Sequence, residues 1–150
     1  MKENWIPLNT QEDIDKLINI FGGFHDACLK ELYMWTEHYV DFDLSMSISD
    51  KLDTRIRALF QRQWENPSAL ELLFEEVTRL SITPSTENYD SIIYDGTLLY
   101  KAGLFYWADD KNWTPGKETN YGVNWIAAKK VSWREVSQWM GKQQRYGITK

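Results

Sequence analysis

Residues 69–82 read ALELLFEEVTRLSI, and the fold turns on whether they form a helix or a strand. As a helix, the stretch puts Ala69, Leu70, Leu73, Phe74, Val77 and Leu80 on one face, with Asn66 as cap and Pro67 at the first helical position. As a strand, Leu70, Leu72 and Phe74, then Leu80 and Ile82, share one face, provided a bulge interrupts the run near Glu76. Local propensity alone favours the helix.

On the N-terminal side, Arg55 to Trp64 (RIRALFQRQW) alternates through Ile56, Ala58 and Phe60. Residues 40–49, VDFDLSMSIS, alternate more cleanly: Val40, Phe42, Leu44, Met46 and Ile48 against Asp41, Asp43, Ser45, Ser47 and Ser49. Period two with one polar face predicts a half-buried strand. The turn Asp50-Lys51-Leu52-Asp53 then joins 40–49 and 55–64 into a hairpin. Residues 24–35, FHDACLKELYMW, stay open, since Leu29 to Leu32 favour a helix and the aromatics a strand. Residues 10–21, TQEDIDKLINIF, place Ile14, Leu17, Ile18 and Phe21 at helical spacing, with Thr10 as cap and Gly22-Gly23 as stop.

On the C-terminal side, Pro84 to Asp90 is a polar loop, and Ile92–Tyr100 with Leu104–Ala108 forms a hairpin turning at Gly103. A long loop, Asp109 to Gly122, precedes a last strand over Trp125–Val131. Ser132 and Glu135 fit a capping box, so Trp133, Val136 and Met140 are expected on a short helix ended by Gly141, followed by a frayed tail to Lys150. The expected core holds Phe42, Leu44, Met46, Ile56, Ala58, Phe60, Leu72, Phe74, Ile93, Phe105, Trp107 and Ile126.

The 150 residues suit one domain, which buries roughly 70% of its unfolded surface without a staple. A single cysteine, Cys28, and an N-terminus without an apolar leader point to a cytoplasmic chain. No stretch reaches the length of a membrane span. The net charge of −5 argues against nucleic acid as partner. Residues 1–50 carry −7 and residues 101–150 carry +5. Either the two ends neutralise each other, or an acidic face meets a partner with a basic surface. Most of the eight Trp, eight Tyr and six Phe are expected in the core, and a surplus at the surface would mark a binding face.

No catalytic set is complete, and neither a metal nor a cofactor is expected. His25 and Asp26 resemble the dyad of metal-dependent phosphohydrolases, but only His38 remains as a further histidine. They are better read as groups that satisfy free backbone atoms where the chain enters the sheet. Arg62 shares the parity of Ile56, Ala58 and Phe60 and so demands a buried partner such as Asp26, or an external carboxylate. The candidate binding residues are therefore His25, Asp26, Arg62, Trp64 and Trp107. The alternatives are a hydrolase-like enzyme using His25 and Asp26, and a small-ligand binder stacking sugars on Trp107, Trp113 or Trp125.

The phrases FHDACLKEL, VDFDLSMSI, ALFQRQWENPS, LELLFEEVTRLSI and IAAKKVSWREV, in this order, resemble a family of small uncharacterised bacterial proteins. The first phrase is also loosely similar to immunity proteins of bacterial toxin systems, which bind and block a cognate toxin. The resemblance implies a strand over 70–82 and no catalytic residues. The expected fold is α+β: a mostly antiparallel, curved β-sheet with an N-terminal helix and a short C-terminal helix. The expected function is that of a non-enzymatic protein-binding module, immunity-like in type.

Overall fold

The computed structural model describes residues 4–116 and 122–147. In chain order the elements are strand β1 (Ile6–Pro7), helix α1 (Gln11–Ile20), a 3-10 turn (Gly22–Phe24), and strands β2 (Ala27–Trp35), β3 (Tyr39–Val40), β4 (Met46–Ser47), β5 (Arg55–Arg62), β6 (Ala69–Ser81), β7 (Thr97–Lys101), β8 (Leu104–Ala108) and β9 (Trp125–Glu135). The main sheet is antiparallel throughout, in the order β2-β5-β6-β9-β8-β7, with β1 alongside the C-terminal half of β9. The fold class is thus α+β, with a curved antiparallel sheet that does not close on itself.

Residues 69–82 are the central strand. Leu70, Leu72 and Phe74 are fully buried and pack with Ile14, Leu17 and Phe21 of the helical layer. Ala69 and Glu71, which point the other way, are also fully buried. A strand covered on both faces loses its alternation, which is why ALELLFEEV imitates an amphipathic helix. The bulge falls where the strand reading needs it: Glu76 has φ +52, and the register against β9 shifts between Val77 and Arg79. A second shift, between Leu29 and Glu31 in β2, adds to the curvature. Residues 24–35 resolve into the 3-10 turn and β2.

Helix α1 matches its sequence signals. The Thr10 hydroxyl accepts from the Asp13 amide at 3.1 Å, and the Asp13 carboxylate accepts from the Thr10 amide at 3.1 Å. The Asn9 amide, with the Thr10 amide and hydroxyl, holds that carboxyl below its ordinary range. Gly22 and Gly23, at φ +60 and +64, then reverse the chain.

Three expectations are corrected. First, 40–49 does not pair with β5. Strand β5 pairs with β2 and β6, while 39–47 folds on itself as a separate two-stranded hairpin. Phe42, Leu44 and Met46 are exposed instead of buried; the other nine expected core residues are buried. Second, among the described residues the expected C-terminal helix does not form. The expected helical residues from Ser132 to Glu135 extend β9, where the β6 ladder supplies partners from Leu73 back to Leu70. Third, the tail is anchored as far as Tyr146, and 148–150 lie outside the described residues, as do 117–121 of the long loop. Gln61 donates to the Trp139 and Gly141 carbonyls, and the Glu31 carboxylate accepts from the Arg145 and Tyr146 amides. The tail thereby covers the second face of the sheet, where Trp139 and Tyr146 pack on Leu59, Ala69 and Val136.

Under that tail lies a buried ionic cluster. Glu71, wholly shielded from solvent, accepts from Arg57 Nε at 2.9 Å, Arg134 Nε at 2.7 Å and the Tyr146 hydroxyl at 2.6 Å. Arg57 and Arg134 also lie over the Trp5 ring. An uncompensated buried carboxylate would be very costly, and here both oxygens face donors, Arg134 on Oε1 and Arg57 with Tyr146 on Oε2.

Candidate functional site

The sequence-derived candidates gather, with one exception, at one end of the β2–β5 pair, where Ala27 faces Arg62. His25 Nδ1 lies 2.6 Å from the Tyr94 carbonyl and 3.4 Å from Asp95, while Nε2 lies 3.5 Å from Asp26. The Tyr94 carbonyl, followed by the Asp26 carboxylate, raises the imidazole above its ordinary pKa. The same two stretches are joined by reciprocal hydrogen bonds between Ala27 and Ile93 and by the Gly96 amide donating to Gly23. His25 is therefore one fastening of the 93–96 segment to the turn after the helix, as the backbone-satisfying reading expects.

Arg62 is buried, but Asp26 is not its partner. Its guanidinium donates to the Pro67 carbonyl at 2.8 Å and the Ile20 carbonyl at 3.2 Å, lies 3.3 Å from Glu65, and covers the Phe21 ring. The Ile20 carbonyl is one of the orphan acceptors at the end of α1, so Arg62 caps that helix from the sheet. Trp64 stands 88% exposed in the turn that follows. Trp107 is the exception: fully buried, it packs against Phe24 and Phe60 in the core. The Trp113 and Trp125 rings lie 5.0 Å apart, tilted by 33°. Two clefts, of about 320 and 710 Å³, are described, and neither is lined by a tryptophan, His25, Asp26 or Arg62. Cys28 and Asp109 border the larger one; burial pushes the Asp109 carboxyl up, although the Asn124 amide donates to it.

Exposed apolar side chains cluster on the 39–48 hairpin, a stretch that sequence reasoning read as one strand of the core. It hangs between the end of β2 and the start of β5. Phe42 is completely exposed and Leu44 is 84% exposed, with Met46, Ile48, Tyr39 and Val40 each more than half exposed. Exposed apolar residues scattered singly are ordinary; six within ten residues form a patch. The tip is nonetheless tightly built. Asp41 donates its amide to Ser45, Leu44 returns an amide to the Asp41 carbonyl at φ +72, and the Asp43 carboxylate takes both the amide and the hydroxyl of Ser45. The base is bolted to the domain by Arg55 on Glu37, the Glu37 amide on Asp53, and His38 between Asp53 and the Ser49 amide. Alternation in VDFDLSMSIS predicts one continuous half-buried strand; the turn inside it, at Asp41–Ser45, is not read from the pattern.

The predicted site residues at the other end of β5 lie far from the hairpin's base. Seven residue steps lead from Arg55 to Arg62, which is about 23 Å of extended chain. No family model, curated protein or solved structure matches the chain.

Proposed function

We propose that the protein is a protein-binding module that docks through the 39–48 hairpin. The observation that carries this reading is an ordered turn displaying Phe42 and Leu44 to solvent while every other phenylalanine is buried. Holding large apolar groups in water is unfavourable by about 1.5–3 kcal/mol per side chain relative to burial, and the tip's hydrogen bonds keep them there. That arrangement supports an anchor for a complementary pocket, since interface energy concentrates in a few buried aromatic and aliphatic anchors. The mixture of Phe42 and Tyr39 with Asp41 and Asp43 is the surface that an immunity-type neutraliser would offer a toxin.

The test is site-specific photo-crosslinking with a benzophenone amino acid at position 42, in cells that encode the protein, followed by reconstitution of the identified pair from purified components. The expected outcome is one discrete adduct, and a reconstituted complex weakened at least about thirtyfold by Phe42→Ala, the factor matching a hot spot of about 2 kcal/mol. A complex indifferent to Phe42→Ala and Leu44→Ala would refute the reading.

A further inference from the structure

Resting on that reading, we infer that the hairpin's partner is a protein whose apolar pocket is rimmed by lysine or arginine. In this inference the hairpin's carboxylates govern capture and its apolar side chains govern residence. Residues 39–50, YVDFDLSMSISD, carry three aspartates and no lysine or arginine. Among the described residues, none of Asp41, Asp43 and Asp50 is in an ion pair. Arg55, the arginine at the hairpin's base, is engaged by Glu37 and Glu75. The Ser45 hydroxyl and amide hold the Asp43 carboxyl below its ordinary range, so its charge is fixed in place before any partner arrives.

Exposed charge beside an apolar anchor selects among occupants. A membrane surface is disfavoured, because interfacial anchors pair apolar side chains with Lys and Arg, whereas anionic headgroups repel aspartates. A second copy related by a two-fold axis sets the same patch against itself and brings these carboxylates together. A cationic rim around an apolar pocket satisfies both features. Rim charges act chiefly on the association rate, and desolvated anchors on dissociation.

The probe is a displayed library of short random peptides selected on the wild-type chain, with enriched peptides measured by surface plasmon resonance across a salt series. The expected peptides carry net positive charge around an aromatic or aliphatic residue. Their association rate falls roughly tenfold from low to high salt. Asp41→Asn with Asp43→Asn slows association and flattens that salt dependence while dissociation changes less than about twofold; Phe42→Ala accelerates dissociation. Peptides that need Phe42 but are uncharged, with salt-insensitive association, overturn the cationic partner and leave the docking reading standing. Peptides indifferent to both Phe42 and Leu44 overturn the docking reading itself. Binding of the chain to phosphatidylcholine vesicles containing phosphatidylserine, or hairpin-dependent self-association in sedimentation, replaces the inferred partner with a membrane or a second copy and also refutes the inference.

Discussion

Replacing Glu71 by glutamine removes one charge from the middle of the sheet and leaves its shape intact. The carboxylate is fully buried and accepts hydrogen bonds from Arg57 Nε at 2.9 Å, Arg134 Nε at 2.7 Å and the Tyr146 hydroxyl at 2.6 Å, with Arg57 Nη2 also 2.7 Å away. Glutamine offers one oxygen, and its amide hydrogens meet donors. Removing one partner of a buried ion pair costs about 3–5 kcal/mol, because the remaining charge stays desolvated. The arginine side chains retain 22% and 18% exposure, so water screens part of that penalty and the lower end, about 3 kcal/mol, is expected. For a chain of this size that corresponds to about 6–12 °C in Tm. Urea titration followed by tryptophan fluorescence should show a lower midpoint at an unchanged slope. A loss below about 1 kcal/mol would refute the reasoning. It would mean that the arginines reach solvent when Glu71 is neutral and that the tail over them is not a seal.

Tyr146→Phe probes the same cluster by pH. Burial, and then Glu71, raise the folded-state phenol far above its ordinary value of about 10. Above pH 10 the unfolded chain releases this proton and the folded chain keeps it, so stability falls as pH rises; the variant should show a shallower alkaline decline in pH-dependent chemical denaturation. Gly22→Ala should destabilise by about 2 kcal/mol or more, since its φ is +60 and a Cβ would sit 2.6 Å from Arg62 Nη1. Gly103→Ala, at φ +83 with nothing near, should lose only the backbone cost of about 1 kcal/mol; equal losses in thermal melts would exclude the Arg62 clash. His25 should titrate above 6.5 by NMR, and Asp26→Asn or Asp95→Asn should bring it down; an unmoved midpoint would remove both carboxylates as causes. Phe42→Ala should change stability by less than about 0.5 kcal/mol, whereas Phe60→Ala, fully buried, should cost about 3–5 kcal/mol in the same denaturation assay.

The capped helix, the edges of β5 and the hairpin of β7 and β8 were legible because local chemistry decides them: a Thr10–Asp13 box, an alternating run, a glycine at φ +83. Residues 69–82 were ambiguous because both faces of β6 are covered, by α1 on one side and the C-terminal tail on the other. Coverage is a tertiary property that periodicity does not carry. The same blindness hid the hairpin. Val40, Phe42, Leu44, Met46 and Ile48 look like a core face until the chain is seen turning back at Asp41–Ser45, with nothing among the described residues burying them. The Ser132–Glu135 pattern misled for a third reason, since a capping box is a local preference of a few tenths to about 2 kcal/mol, outweighed by a ladder running the length of β6. Of the predicted site residues, Arg62 shares the parity of a buried face, which left it inward or at the core's edge; the structure buries it, and its carbonyl partners have no signature in sequence.

The register of β2 against β5 runs from Ala27–Arg62 to Trp35–Arg55, and the nineteen residues between the two strands are tied to it at their base, by Glu37 on Arg55. Closing that connection with a turn of a few residues would lower the chain entropy lost on folding by about 1 kcal/mol. The domain therefore behaves as a handle with an interchangeable head. Substitutions within the head alter what is gripped without passing through the core, so recognition can diversify on a scaffold whose packing stays the same. A chain lacking residues 38–50 should fold as the same sheet.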